Sequence, residues 1–549
     1  MGWAVLRVSF CLLAVSMAIE ASAQSTPADP PGLRVINPAI VKETDRRAPV
    51  DYGYGPGIRP ESRAAASRAL AIPPTSAVPN GGAAAGTQGF FGAAVPWPII
   101  GLHAVLLPDG RVMNYGTDEN GQQGAQLIYS VWDPAEGTGP SSHMVLPNTT
   151  GTDLFCSAQT VLQNGQVLIT GGDVTINGVR NYSAQETQIF DPAANTLSQN
   201  GAMAFARWYP TIINMPNGDA VILGGRQNYD VAASMPEVFN SNTGWRTLPN
   251  ATSEAAYGMP DGNWYYPKAF LTPRGKIFVL GNWVDTYMLD TAGAGTITKL
   301  AVQASRGDYE LPSVMYAPGK VLSLRYDRKV DLVNLSPVTP AITRTADIDQ
   351  VRYWSNMTVL ADGQVLVNGG SAVGNELTGV AYTTQIWNPA TGTWSTGAAA
   401  TKARLYHSIA LLLPDGSVLT GAGGAPGPVN NLNSEIYYPS YLYKKNGSGQ
   451  AAPRPTLLNA SAIARTGQTF TATVGTTDTV GRVTMVRTGS VTHSFNPDQR
   501  FLRIPFTQSG QQLTLTMPSD PDVALPGYYM LFVFRNGVPS IARIVRVTT

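Results

Sequence analysis

Cys156, Tyr209 and His407 each stand nine residues before a glycine, at the same place in a recurring segment. A thiol, a phenol and an imidazole are side chains that bind transition metals or change oxidation state. Their shared offset predicts that the fold carries all three to one structural level. The segment is an apolar run, a turn with glycine and a second apolar run often closed by Gly-Gly. Its turn glycines are Gly110, Gly165, Gly218, Gly275, Gly319, Gly363 and Gly416, spaced 44 to 57 residues apart. Nine residues before them stand Gly101, Cys156, Tyr209, Tyr266, Glu310, Trp354 and His407. A purely structural repeat would be served by apolar residues there, so the mixture reads as a site at one mouth of a ring. Arg226, Gln227 and Trp283, just past second strands, are expected nearby.

The elements that must position this ring follow from the same segment. Two apolar runs across Pro-Asp-Gly or Asn-Gly form a tight antiparallel hairpin. A further apolar and aromatic stretch, such as Ile189-Phe190-Asp191-Pro192 or Ile386-Trp387-Asn388-Pro389, supplies outer strands. Four strands per unit of this length, repeated seven times, predict a kelch-type β-propeller over residues 90–445. Beyond it the rhythm changes to short alternating strands. Residues 446–549 therefore read as an immunoglobulin-like β-sandwich, making the chain all-β.

Ahead of the repeats, Arg7, an apolar run and Ala21-Ser22-Ala23 read as a signal peptide over residues 1–23. Residues 24–89, rich in Pro, Ala, Gly and Ser, read as a leader or linker. The mature chain is thus expected to be secreted or periplasmic, with no integral membrane segment. Export would remove Cys11 and leave Cys156 as the sole cysteine, without an internal disulfide. With 13% charged residues and a net charge of +1, no surface field favours nucleic acid. A monomer is expected. The remaining imidazoles are His103 inside a strand, His143 in an expected blade loop, and His493 in a polar segment of the last domain.

Several segments together resemble the copper radical oxidases, the group of galactose oxidase and glyoxal oxidase. They are Asp153-Leu154-Phe155-Cys156-Ser157, Arg207-Trp208-Tyr209-Pro210-Thr211, Arg404-Leu405-Tyr406-His407-Ser408, and Val491-Thr492-His493 with Asn496-Pro497-Asp498-Gln499-Arg500. Arg207-Trp208 and Pro210 are closer to the glyoxal oxidase and bacterial branch. The resemblance implies one copper ion held by Tyr209, Tyr406, His407 and His493. It implies a thioether between Cys156 and Tyr209 that carries a tyrosyl radical, with Tyr406 as axial base. Small aldehydes as hydrates, or primary alcohols, would be oxidised while O2 becomes H2O2. The sequence departs from galactose oxidase where Arg226-Gln227 replaces the tryptophan after Gly-Gly that stacks on the cross-linked ring. Trp283 and Tyr229 are the candidate replacements. Galactose oxidase-like oxidation of alcohols or carbohydrates, and a non-catalytic propeller binding glycan or matrix, stand as alternatives. A sialidase-like hydrolase is disfavoured because Glu310 is isolated from arginine and acidic clusters.

Overall fold

Each of the seven turn glycines takes a left-handed φ, between +66° and +94°, which explains why the residue recurs. Around these turns the computed structural model, which describes residues 77–549 except 177, 178 and 477, builds seven antiparallel sheets. The first blade comprises His103–Leu106, Val112–Tyr115, Ile128–Trp132 and His143–Pro147. The next five begin with Ala158–Val161, Trp208–Asn214, Lys268–Leu271, Ser313–Ala317 and Asn356–Val359. In the seventh, Ser408–Leu412, Val418–Ala422 and Asn433–Tyr438 pair outward with Phe90–Phe91. A strand from before the first blade thus completes the last. The register Phe90 to Tyr438 closes the ring and covers an edge that would otherwise be open.

The aromatic stretches read as outer strands are third strands, for example Glu186–Asp191 and Thr383–Asn388. The fourth strands, such as Thr196–Ala202, are mostly exposed and carry no apolar pattern. The proposed signal peptide and residues 24–76 of the leader lie outside the described residues. The end of the leader is packed: Ala85 is buried, and Gly81 N–H donates to the Gly449 carbonyl. His143, expected in a loop, opens a strand and is buried between Trp97 and Trp132.

Two residues before Tyr209, the Arg207 side chain is fully buried. It donates to the carbonyls of Gly224 and Ala233 at 2.7 and 2.9 Å and pairs with buried Glu237 at 3.0 Å. Removing one partner strands the other charge. Glu237→Ala is therefore expected to destabilise the protein by about 3–5 kcal/mol, read as a lower denaturant midpoint.

After the propeller, Leu457–Ala460, Thr469–Val474, Gln512–Thr516 and Phe506–Ser509 form one sheet. The facing sheet is built on Arg482–Arg487, Gly527–Arg535 and Arg543–Thr548. Alternate residues of both, including Phe470, Leu513, Met485 and Leu531, fill the sandwich core. Between two strands of that second sheet the chain leaves the sandwich and enters the propeller axis. Ser490–Thr492 pairs with His103–Leu106 as an extra innermost strand of the first blade.

Candidate metal centre

Five of the seven repeat positions share an uncommon backbone. Cys156, Tyr209, Tyr266, Trp354 and His407 have φ between +38° and +67°, a region disfavoured for residues with a Cβ. Each stands at the entrance of an inner strand. Backbone bonds between adjacent blades tie the level together: Tyr209 N–H donates to Cys156 O at 2.9 Å, Tyr266 to Tyr209 at 2.8 Å, and Trp354 to Glu310 at 2.8 Å. This over-determination holds strained residues in place, which concentrates them where a site needs fixed directions.

His493 arrives from the opposite side of the chain. Thr492 and Phe495 exchange backbone hydrogen bonds at 3.1 and 2.9 Å, closing a tight turn over His493 and Ser494, whose φ values are +45° and +62°. The imidazole stands at the tip of that turn, stacked on Tyr266 with ring centroids 4.5 Å apart.

The structure brings Cys156, Tyr209, Tyr406, His407 and His493 into one buried cluster. Cys156 Sγ lies 4.0 Å from His407 Nε2 and 3.6 Å from His493 Nε2, and the three atoms all fall within 4.8 Å of one another. The Tyr209 and Tyr406 hydroxyls are 2.7 Å apart. The Tyr406 ring stacks on His407 at 3.7 Å, and His407 meets His493 edge-on at 4.6 Å. The His407 Nδ1 hydrogen faces the Gly424 carbonyl at 2.7 Å, which leaves the Nε2 lone pair free for a ligand. Thr492 Oγ1 holds His493 Nδ1 at 2.5 Å in the same way.

Burial keeps His407 neutral, pushing it down to about 3, and pushes His493 well below its ordinary value. It also pushes the Tyr209 and Tyr406 phenols and the Cys156 thiol well above theirs. Two neutral imidazoles and two phenols that only a nearby cation would ionise are a donor set for a metal. Nitrogen and oxygen donors fit Cu(II) where the nearby Cys156 sulfur is not a thiolate.

Other residues surround the cluster. Trp354 meets Tyr406 edge-on at 4.5 Å. Glu310 is buried, and burial followed by the charge of Asp308 pushes its carboxyl up to about 8. His103 Nδ1 donates to Gln159 Oε1 at 2.8 Å, and its ring stacks on Tyr115 and lies 5.8 Å from that of His493. Neither proposed shield covers Tyr209. Trp283 is 40% exposed with the Arg306 guanidinium 3.6 Å over its ring, and Tyr229 packs against Arg226. The stacked position belongs to Tyr265, with centroids 4.3 Å apart and planes 28° from parallel. Its hydroxyl also donates to Tyr406 Oη at 3.2 Å. Sequence reasoning missed Tyr265 because it stands one residue off the repeat position. Arg226 does sit nearby, 4.4 Å over Trp208, which touches Tyr209.

Comparison with known proteins follows the same division of the chain. Residues 137–317 match the family described as "Glyoxal oxidase N-terminus", and residues 454–547 match "Galactose oxidase-like, Early set domain". A galactose oxidase of Gibberella zeae is 29% identical over 502 residues, covering 84% of this chain and 71% of that protein. An aldehyde oxidase, GLOX, of Vitis pseudoreticulata is 26% identical, covering 72% of this chain and 82% of that one. Among solved structures, a fungal alcohol oxidase of the AA5 family in complex with copper superposes with a TM-score of 0.74 at 23% identity. That match covers 84% of this chain and all of the other.

Proposed function

We infer that this chain, which belongs to the copper radical oxidases, oxidises small aldehydes, as their hydrates, or primary alcohols, with O2 as acceptor and H2O2 as product. The carrying observation is the 2.7 Å approach of the Tyr209 and Tyr406 hydroxyls beside Cys156, His407 and His493. Tyr209, Tyr406, His407 and His493 would hold one copper ion, with Cys156 joined to the Tyr209 ring as a thioether. Bound copper would supply one electron of redox capacity and an open position for substrate oxygen.

The residues do the rest. Alcohol oxidation removes two electrons and two protons. Tyr406 would take the hydroxyl proton, its oxygen held between those of Tyr209 and Tyr265. Tyr209, oxidised by one electron, would take hydrogen from the adjacent carbon. Burial of both rings excludes water from this step. Trp264, Tyr265 and Trp354 give the surroundings an aromatic character.

Tyr265 would shield the oxidised ring. Stacking of this kind contributes about 0.5–1.5 kcal/mol, so Tyr265→Leu is expected to make the visible absorption of the oxidised protein decay up to about tenfold faster. Unchanged decay would remove Tyr265 from this role. Export of the protein is proposed from residues 1–23 alone.

A peroxide-coupled assay of copper-loaded protein on aldehydes, primary alcohols and galactose tests the reading. Peroxide from aldehydes or simple alcohols supports it. Turnover of galactose alone would move the assignment to the carbohydrate oxidase suggested by the Gibberella relative. No peroxide from any of them would leave a binding propeller.

A further inference from the structure

We propose that Asp498 is a positioning residue that locks the His493 turn onto the propeller axis and so sets the affinity of the metal centre. The proposal rests on the reading of His493 as a ligand. It begins from a buried carboxylate with an unusual set of donors. Thr160 Oγ1, in the inner strand of the second blade, donates to it at 2.7 Å, and Asn214 Nδ2, in that of the third, at 2.9 Å. Ser490 Oγ donates at 2.5 Å and Arg487 Nη1 at 2.5 Å, both from the last domain. Four donors match the acceptor capacity of one ionised carboxylate. Asp498 is 4% exposed, so the network works without competition from bulk water.

The neighbouring residue extends the lock. Gln499 accepts from Val359 N–H at 2.9 Å and donates to the Val359 carbonyl at 3.0 Å, imitating a peptide partner for the sixth blade. Phe495 bridges Ser313 of the fifth blade, and Ser490–Thr492 pairs with the first. These bonds tie one excursion to five blades, and the His493 ring meets Tyr266 and His407 at the entrances of the other two. Its tip, His493 and Ser494, occupies two successive left-handed conformations that the free chain disfavours. Such strain persists only where the surroundings enforce it. Asp498 is the charged member of those surroundings, and without it Arg487 would be a buried cation missing its carboxylate.

The test uses the full chain with Asp498→Asn, Thr160→Val and, as a control, Asp478→Asn, which breaks the Arg535 pair elsewhere in the sandwich. Amide hydrogen exchange of the metal-free protein reads residues 490–499 directly. Chelator competition and the Cu(II) electron paramagnetic resonance spectrum read the centre. Expected for Asp498→Asn are faster exchange confined to that segment, a loss of about 10–100-fold in Cu(II) affinity, and altered copper hyperfine splitting. The control should leave all three unchanged. Thr160→Val, which removes one donor from the propeller side, should shift the same readouts less and decides the matter where Asp498→Asn fails to fold. Wild-type exchange and wild-type affinity in the folded variants overturn the proposal. A wild-type protein that binds no Cu(II) overturns the ligand reading instead, while the metal-free exchange still shows whether Asp498 holds the turn.

Discussion

A digest of protein treated with copper and oxygen is expected to yield Cys156 and Tyr209 in a single linked fragment, lighter by two hydrogens than its separate parts. The bond would join Cys156 sulfur to the Tyr209 ring beside its hydroxyl. The thiol loses one hydrogen and the ring carbon another, and O2 takes both with two electrons to become H2O2. The structure supplies the proximity: Cys156 and Tyr209 pack in one buried cluster, and Tyr209 N–H donates to Cys156 O at 2.9 Å. Cys156 is buried and free of disulfide. Burial, aided by the charges of Asp173 and Asp153, keeps its thiol protonated, so its conversion to a thioether costs the centre no thiolate ligand. A sulfur-substituted phenol is easier to oxidise than a plain one, which makes Tyr209 the natural store for the second electron. Cys156→Ser should abolish the link and lower oxidase turnover by at least about 100-fold, roughly 2.7 kcal/mol of transition-state stabilisation. Unlinked peptides from copper-loaded, oxygenated wild type would remove the proposed cofactor and favour the binding propeller.

The offset that first joined Cys156, Tyr209 and His407 was legible for a physical reason. A left-handed glycine must close each hairpin, each inner strand runs directly into that turn, and so counting back from the turn reaches the same level in every blade. What spacing could not show was that the residues there are themselves left-handed and bonded blade to blade. His493 belongs to no repeat and was reached only through the family resemblance. The fourth strands escaped notice because exposed sequences such as Thr196–Ala202 carry no alternation to read. Ring closure by Phe90–Phe91 joins residues some 350 positions apart, too distant for any local pattern to show. Tyr265 and Asp498 were invisible for a related cause. Their significance lies in partners far along the chain, Tyr406 for one and Thr160 and Asn214 for the other.

That dependence on distant partners gives His493 the second large effect. His493→Ala in the full chain is expected to lower Cu(II) affinity by more than about 100-fold, beyond the 10–100-fold that changes outside the ligand set usually cost. The propeller alone would then offer Tyr209, Tyr406 and His407. Ending the chain after residue 445 should be at least as severe, because it also takes away the Ser490–Thr492 strand, Asp498 and Gln499. Equilibrium dialysis of the variant against Cu(II) measures the loss. His103 is the one imidazole placed to compensate: it is fully buried, its ring centroid is 5.8 Å from that of His493, and its Nε2 has no hydrogen-bond partner among the described residues. Its Nδ1 is held by Gln159 and its ring is stacked on Tyr115, however, so turning toward the centre would cost both contacts. Stoichiometric copper in His493→Ala that disappears in the His103→Gln, His493→Ala double variant would show that His103 had moved in. Copper retained by both variants would refute the proposed ligand set.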